Sequence, residues 1–256
     1  MRRVEHVMGT AIGVEVRDRS VSEGVLDSVY GWLRYVDARF STCRSDSDIS
    51  RLRRGELALD ECAAEVGEVL ERCEVLRGET NGFFDARYKD AGVDPTGLVK
   101  GWAVDFAGEL LRRSGVESFC VNAGGDVLVG GGQEPWRVGI QHPFLRDRLA
   151  AVVEGHDLAV ATSGTYERGD HILDPHTHAA ASGPLVALTV VGPDLATTDA
   201  YATAAIAMGA GDGIEWLAAQ PGYCGFAIGA DLTTTRTPGM QPFLATPLAA
   251  PSRSAS

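Results

Sequence analysis

The hydrophobic pattern of this chain changes near Gly115, and that change limits the folds open to it. Before it, apolar residues recur at three- and four-residue spacing, the mark of amphipathic helices. Val25, Leu26, Val29, Trp32, Leu33, Val36 and Phe40 form one such stripe over residues 21–40. Val66, Val69, Leu70, Cys73 and Leu76 form a second over residues 61–80, closed by Asn81-Gly82 as a helix C-terminus should be. A third carries Val99, Trp102, Phe106, Leu110 and Leu111. After Gly115 come short β-like runs broken by glycine and proline, at 118–122, 127–129, 136–141, 150–153 and 158–162. Residues 185–191 read as a buried strand, 198–208 and 212–219 as helices, and 224–228 as a last strand. Near the start, residues 11–16 read as a strand, and the polar stretch 40–50 as a loop. Helices first and strands later exclude the βαβ alternation of a doubly wound sheet, and no internal repeat is present. The expected class is α+β.

A chain of 256 residues makes one large domain or two small ones, and its apolar fraction of 45% suits a buried core. The net charge of −12 argues against a nucleic-acid partner. An acidic protein that binds a polyanion must bring counter-charge to the site, from a lysine or a divalent metal. The opening Met-Arg-Arg-Val-Glu-His has no apolar segment, lipobox cysteine or cleavage site, and no run is long enough to span a membrane. Five scattered cysteines (Cys43, Cys62, Cys73, Cys120, Cys224) form no CxxC pair, and Cys62 and Cys73 fall on a helical apolar face. The expectation is a cytoplasmic protein without a membrane anchor. A domain over residues 1–237 is expected, followed by a Pro/Ala/Ser-rich tail over 238–256 that is disordered at its end.

Four clusters could carry chemistry, and each also has a plain structural reading. Asp94-Pro-Thr-Gly-Leu-Val-Lys100-Gly-Trp-Ala-Val-Asp105 reads as a turn entering a helix, with a lysine beside exposed amides where a phosphate could sit. It is equally a capped helix with a solvated lysine, with Asp105 near the first turn, where the helix dipole favours a carboxylate. Asn122-Ala-Gly-Gly-Asp126 ends a strand and allows close backbone approach, or is simply a hairpin turn. No GxGxxG with a following helix is present, so a Rossmann site fails. Ser163-Gly-Thr-Tyr166 and His171-Ile-Leu-Asp174 gather polar groups, with His171 a candidate base near neutral pH. The string His171, Asp174, His176, His178 lacks ordered ligand spacing, so zinc is not expected. Asp199 and Thr203 stand four residues apart, so on a helix they share a face and offer two hard oxygens to Mg²⁺. Their plain reading is a capped helix whose threonine bonds back to the preceding turn.

Taken in series, these motifs resemble the FAD:protein FMN transferase family, the ApbE-type flavin transferases. The likeness runs from Met8-Gly-Thr10 through Phe40-Ser41, Ser47-Asp-Ile-Ser50, Gly82-Phe-Phe-Asp85, the stretch from Asp94 to Asp105, Asn122 to Asp126, Ser163 to Tyr166, His171 to Pro175, and Thr198 to Gly209. It covers nearly the whole chain in the right order. The resemblance implies an ApbE-like α+β fold, with helices packed on mixed or antiparallel sheets and an FAD cleft between two subdomains. It implies FAD as substrate, Mg²⁺ (or Mn²⁺) as metal, and an acceptor flavoprotein whose Ser or Thr hydroxyl takes FMN, releasing AMP. By position, Asp199, Thr203 and the Gly97 carbonyl match the metal ligands. Met8, Cys43, Asp85, Ala86, Asp94, Lys100, Asn122, Gly124, Gly125, Asp126, Ser163, Gly164, Tyr166 and His171 match or border the flavin-nucleotide contacts. His171 and Lys100 are the expected catalytic residues, His171 as base.

Three departures from the family pattern stand out. Cys43 stands where members often carry an aromatic ring, His178 replaces the usual glycine, and the segment between Asp85 and Asp94 is short. The residues that would handle FAD for transfer also suit an FAD diphosphatase, with water in place of the acceptor. A non-catalytic FAD-binding or flavin-delivery protein is the alternative of another class.

Overall fold

The computed structural model describes residues 1–19, 21–87, 92–164, 173–179 and 183–245. The chain opens with a hairpin of β1 (Arg2–Val7) and β2 (Thr10–Val16). Its two turn residues, Met8 and Gly9, both take positive φ (55° and 72°), the geometry that matches the twist of paired strands. The helical part follows: α1 (Glu23–Phe40), the short α2 (Asp48–Arg53), α3 (Ala64–Glu79) and α4 (Thr96–Arg113). The strands β3 (Ser118–Ala123), β4 (Asp126–Gly131), β5 (Trp136–Gln141), β6 (Leu149–Gly155), β7 (Leu158–Gly164) and β8 (Leu185–Gly192) come next. Then α5 (Leu195–Met208), α6 (Asp212–Ala218), β9 (Cys224–Gly229) and β10 (Thr234–Arg236) complete the order.

Eight strands pair in the order β1-β2-β3-β4-β7-β8-β9-β10, and β5 and β6 form a separate hairpin. Every pairing among the described residues is antiparallel, which narrows the expected mixed or antiparallel sheet. Strand alternation divides the core in two. Leu128, Ala159, Leu188 and Val190 face the helices, while Val127, Val129, Val160 and Val191 face the β5–β6 hairpin. Within the helical layer α5 is buried nearly all round, and its alanines let neighbouring elements approach closely. One such approach is at Gly101 on α4, where a Cβ would lie 2.7 Å from the Cα of Ala196.

Several expectations change at the boundaries. Residues 40–50 do not stay a loop: the Ser47 hydroxyl accepts from the Ser50 amide at 3.1 Å and starts α2. Cys62 precedes α3 and is only partly buried, so Cys73 alone of that pair is core. Helix α5 begins three residues earlier than its apolar pattern, because Asp194 accepts from the Thr197 amide at 2.8 Å as N-cap. Beyond Thr237, a 3-10 turn over Pro238–Phe243 buries Met240 in the second core cluster, and Leu244 bridges to Val153. Residues 246–256 lie outside the described residues.

Candidate active site

Helices α4 and α5 carry the two halves of one charged cluster. Lys100, in the second turn of α4, directs its Nζ between two carboxylates: Asp126 at the start of β4, and Asp199 on α5 at 3.2 Å. Burial works against the ammonium, but Asp199 and Asp126 outweigh it and hold its pKa above the usual range. Asp126 is 5% exposed and accepts from the Thr162 amide at 3.1 Å, so β7 fixes its orientation. One turn beyond Asp199, Thr203 meets the Ser163 hydroxyl at 3.0 Å. The i, i+4 spacing therefore places a carboxylate and a hydroxyl on one face, as the sequence suggests.

Asp105 belongs to a different place from the one its sequence implies. It lies well inside α4, and the helix terminus it serves is that of α5: its carboxylate accepts from the Leu195 amide at 2.7 Å and the Ala196 amide at 2.8 Å. Burial pushes its pKa up to about 7, although both amides favour the ionised form. With Gly101 flush against Ala196, this carboxylate locks the helix carrying Lys100 to the helix carrying Asp199 and Thr203.

Lys100, Asp126, Ser163, Asp199 and Thr203 line a cavity of about 990 Å³, near the upper end of ligand-site sizes. Its walls come from both parts of the chain. Met8 lines it from the β1–β2 turn and Cys43 from the loop after α1. Asp85 and Ala86 contribute a wall tied down by neighbours: Asp85 pairs with Arg77 at 3.1 Å, and the Ala86 carbonyl accepts from the Asp94 amide at 2.6 Å. Asp94 accepts from the Thr96 hydroxyl at 2.6 Å, shaping the entry into α4. Gly97 lies inside the first turn of α4 rather than in the turn before it, packed on the Phe84 ring. Its carbonyl is a helical acceptor with a second lone pair. On the β side, Asn122 accepts from the Gly125 amide at 3.0 Å. Gly124 has φ 64° and lies so close to Thr10 that a Cβ would approach its hydroxyl to 2.5 Å. Ser163 and Gly164 close this side. Tyr166 and His171 lie outside the described residues, while Leu173 and Pro175 beside them reach the cavity.

Sequence reading missed three features here: the pairing of Lys100 with Asp126, the Asp105 lock, and the β5 wall formed by Arg137, Gly139 and Gln141. Only the last had a local signal, the apolar/polar alternation over 136–141. Among the described residues no group of three or more His, Cys, Asp or Glu side chains could hold a metal. His176 packs edge-on against Phe83 at 4.6 Å, and His178 takes φ 55°, a conformation that favours glycine. The donor set that remains, a carboxylate, a hydroxyl and a helical carbonyl on the cavity wall, fits Mg²⁺. That ion is commonly held by one or two carboxylates and completed by substrate phosphates.

A model of the ApbE family matches residues 8–91 and 87–226 of the chain. A FAD:protein FMN transferase from Rhodobacter capsulatus is 31% identical over 220 residues, 78% of this chain. One from Vibrio cholerae is 33% identical over 129 residues, 46% of this chain. The chain matches 38% and 39% of those two relatives' own lengths. Among solved structures it is similar to the flavin transferase ApbE from Vibrio cholerae, with a TM-score of 0.83 at 23% identity, over 95% of this chain and 99% of that one. It is also similar to the ApbE protein from Thermotoga maritima, with a TM-score of 0.87 at 20% identity, over 96% and 99%. These two likenesses show a shared fold.

Proposed function

Because the chain belongs to the ApbE family, we propose that it transfers FMN from FAD to a Ser or Thr hydroxyl of an acceptor flavoprotein, releasing AMP. The observation that carries this reading is Lys100 between Asp126 and Asp199 in a dinucleotide-sized cavity, with Thr203 one turn further along α5. Asp199, Thr203 and the Gly97 carbonyl would hold Mg²⁺ or Mn²⁺, which when bound supplies positive charge to the diphosphate.

In the proposed reaction the acceptor oxygen forms a bond to the FMN phosphorus. The bond from that phosphorus to the bridging oxygen breaks, and its electron pair leaves with AMP. Lys100 stabilises charge that builds on the phosphoryl oxygens, from a position set before substrate arrives. The hydroxyl proton goes to a base, for which we assign His171. Asp94, Asp85, Ala86, Asn122, the Gly124–Gly125 turn, Ser163 and Gly164 form the walls that orient the nucleotide, with Met8, Cys43 and Tyr166 assigned to the flavin nucleotide as well. A cytoplasmic setting belongs to the same reading, supported by five cysteines that stay unpaired. No helix among the described residues is long and apolar enough to cross a membrane.

The test is purified protein with FAD, Mg²⁺ and a candidate acceptor, read for AMP and for protein-bound flavin fluorescence. Transfer predicts both products in equal amounts. AMP with free FMN and unmodified acceptor would replace transfer by FAD hydrolysis, and tight FAD binding without either product would leave a binding protein.

A further inference from the structure

Charge in the cavity is unbalanced. Asp37, Asp85, Asp94, Asp126 and Asp199 line it, and Lys100 is already shared by two of them. Among the described lining residues one other side chain carries permanent positive charge, Arg137 on β5. Strand alternation explains its place: Trp136 and Ile140 are buried in the core cluster beneath the hairpin, so Arg137, Gly139 and Gln141 fall on the opposite face. All three of those residues line the cavity, and Gly139 places no side chain between the other two.

Arg137 has little holding it elsewhere. Its partner is Glu154, directly across the hairpin, with Nε 3.8 Å from the carboxylate and the two side chains 43% and 39% exposed. An exposed pair at that separation contributes almost nothing, so the guanidinium can leave it at small cost. A phosphate offers the same group two parallel charge-assisted hydrogen bonds. We propose that Arg137 binds a phosphate of the dinucleotide substrate, so that β5 adds a phosphate-binding wall to the cavity that holds the α4–α5 cluster. This inference rests on the FAD reading above and adds a residue to it.

The experiment is equilibrium binding of FAD and of riboflavin, which has no phosphate, to the wild type, Arg137→Ala and Arg137→Lys, over a range of salt. Metal affinity is followed separately by Mn²⁺ electron paramagnetic resonance. Arg137→Ala should weaken FAD binding about tenfold or more. It should also flatten the salt dependence while leaving riboflavin and Mn²⁺ affinity unchanged, and Arg137→Lys should recover part of the loss. Unchanged FAD affinity in Arg137→Ala overturns the inference alone, and so does an equal loss for riboflavin. A wild type that does not bind FAD overturns the inference together with the reading on which it rests.

Discussion

At the scale of single residues, Asp105 links chemistry to folding most directly. Burial raises its pKa to about 7 from the ordinary 3.8, with Asp194 pushing it up and Arg112 pulling it down. The folded state therefore holds this proton more tightly than the unfolded chain does. The resulting stabilisation is complete below about pH 4 and is lost as pH rises through about 7. Asp105→Asn cannot titrate, so wild type should lose stability relative to the variant between those limits, measured by urea unfolding across the range. Parallel pH profiles would contradict the assignment. Such a residue was half legible in the sequence. A carboxylate in a helix pattern could be seen, but its partners, the Leu195 and Ala196 amides, are distant in the chain and leave no local mark. The same holds for Lys100: its type and turn-to-helix setting could be read, whereas its pairing with Asp126 depends on how β4 meets α4.

At the scale of elements, the site depends on two helices in unusually close contact. Helix α4 had a clear apolar stripe and was readable from spacing alone. Helix α5 was harder, because it is apolar on almost every face and its start is set by the Asp194 cap instead of by periodicity. Its i, i+4 pair was still visible, since that relation needs only the helix itself. What spacing could not reveal is that Gly101 exists to let α5 pass. Gly101→Ala would put a Cβ 2.7 Å from the Ala196 Cα, against backbone that cannot swing away. The expected cost is about 1–3 kcal/mol by denaturant unfolding. Because the clash lies next to Lys100 in α4 and three residues before Asp199 in α5, Mg²⁺ affinity should fall more than in a variant such as Met240→Ala, which disturbs the other face of the sheet. Equal metal affinity in the two variants would mean that the helix contact does not set the site.

At the scale of the whole molecule, the helices pack on an eight-stranded antiparallel sheet with the β5–β6 hairpin as a separate pair, and the cavity is walled by helices, sheet and hairpin. The class was legible because hydrophobic periodicity reports local structure faithfully when segments are long. The first strand, β1, and the packing of Pro238–Phe243 were not, because Arg2–Val7 is half exposed and the second has few apolar residues of its own. Both find partners through tertiary contact: β1 on β2, and Met240 beside Cys224. In the proposed function, Asp199 on α5 completes, with Lys100 on α4, a metal-dependent site for the FAD diphosphate. This role is tested most directly by AMP release from FAD in the presence of acceptor, followed over a Mg²⁺ titration for wild type and Asp199→Ala, with folding of both verified. Wild type should rise to a plateau with Mg²⁺, and Asp199→Ala should release no AMP at any concentration. Full activity of the variant at saturating Mg²⁺ would rule out Asp199 as a metal ligand.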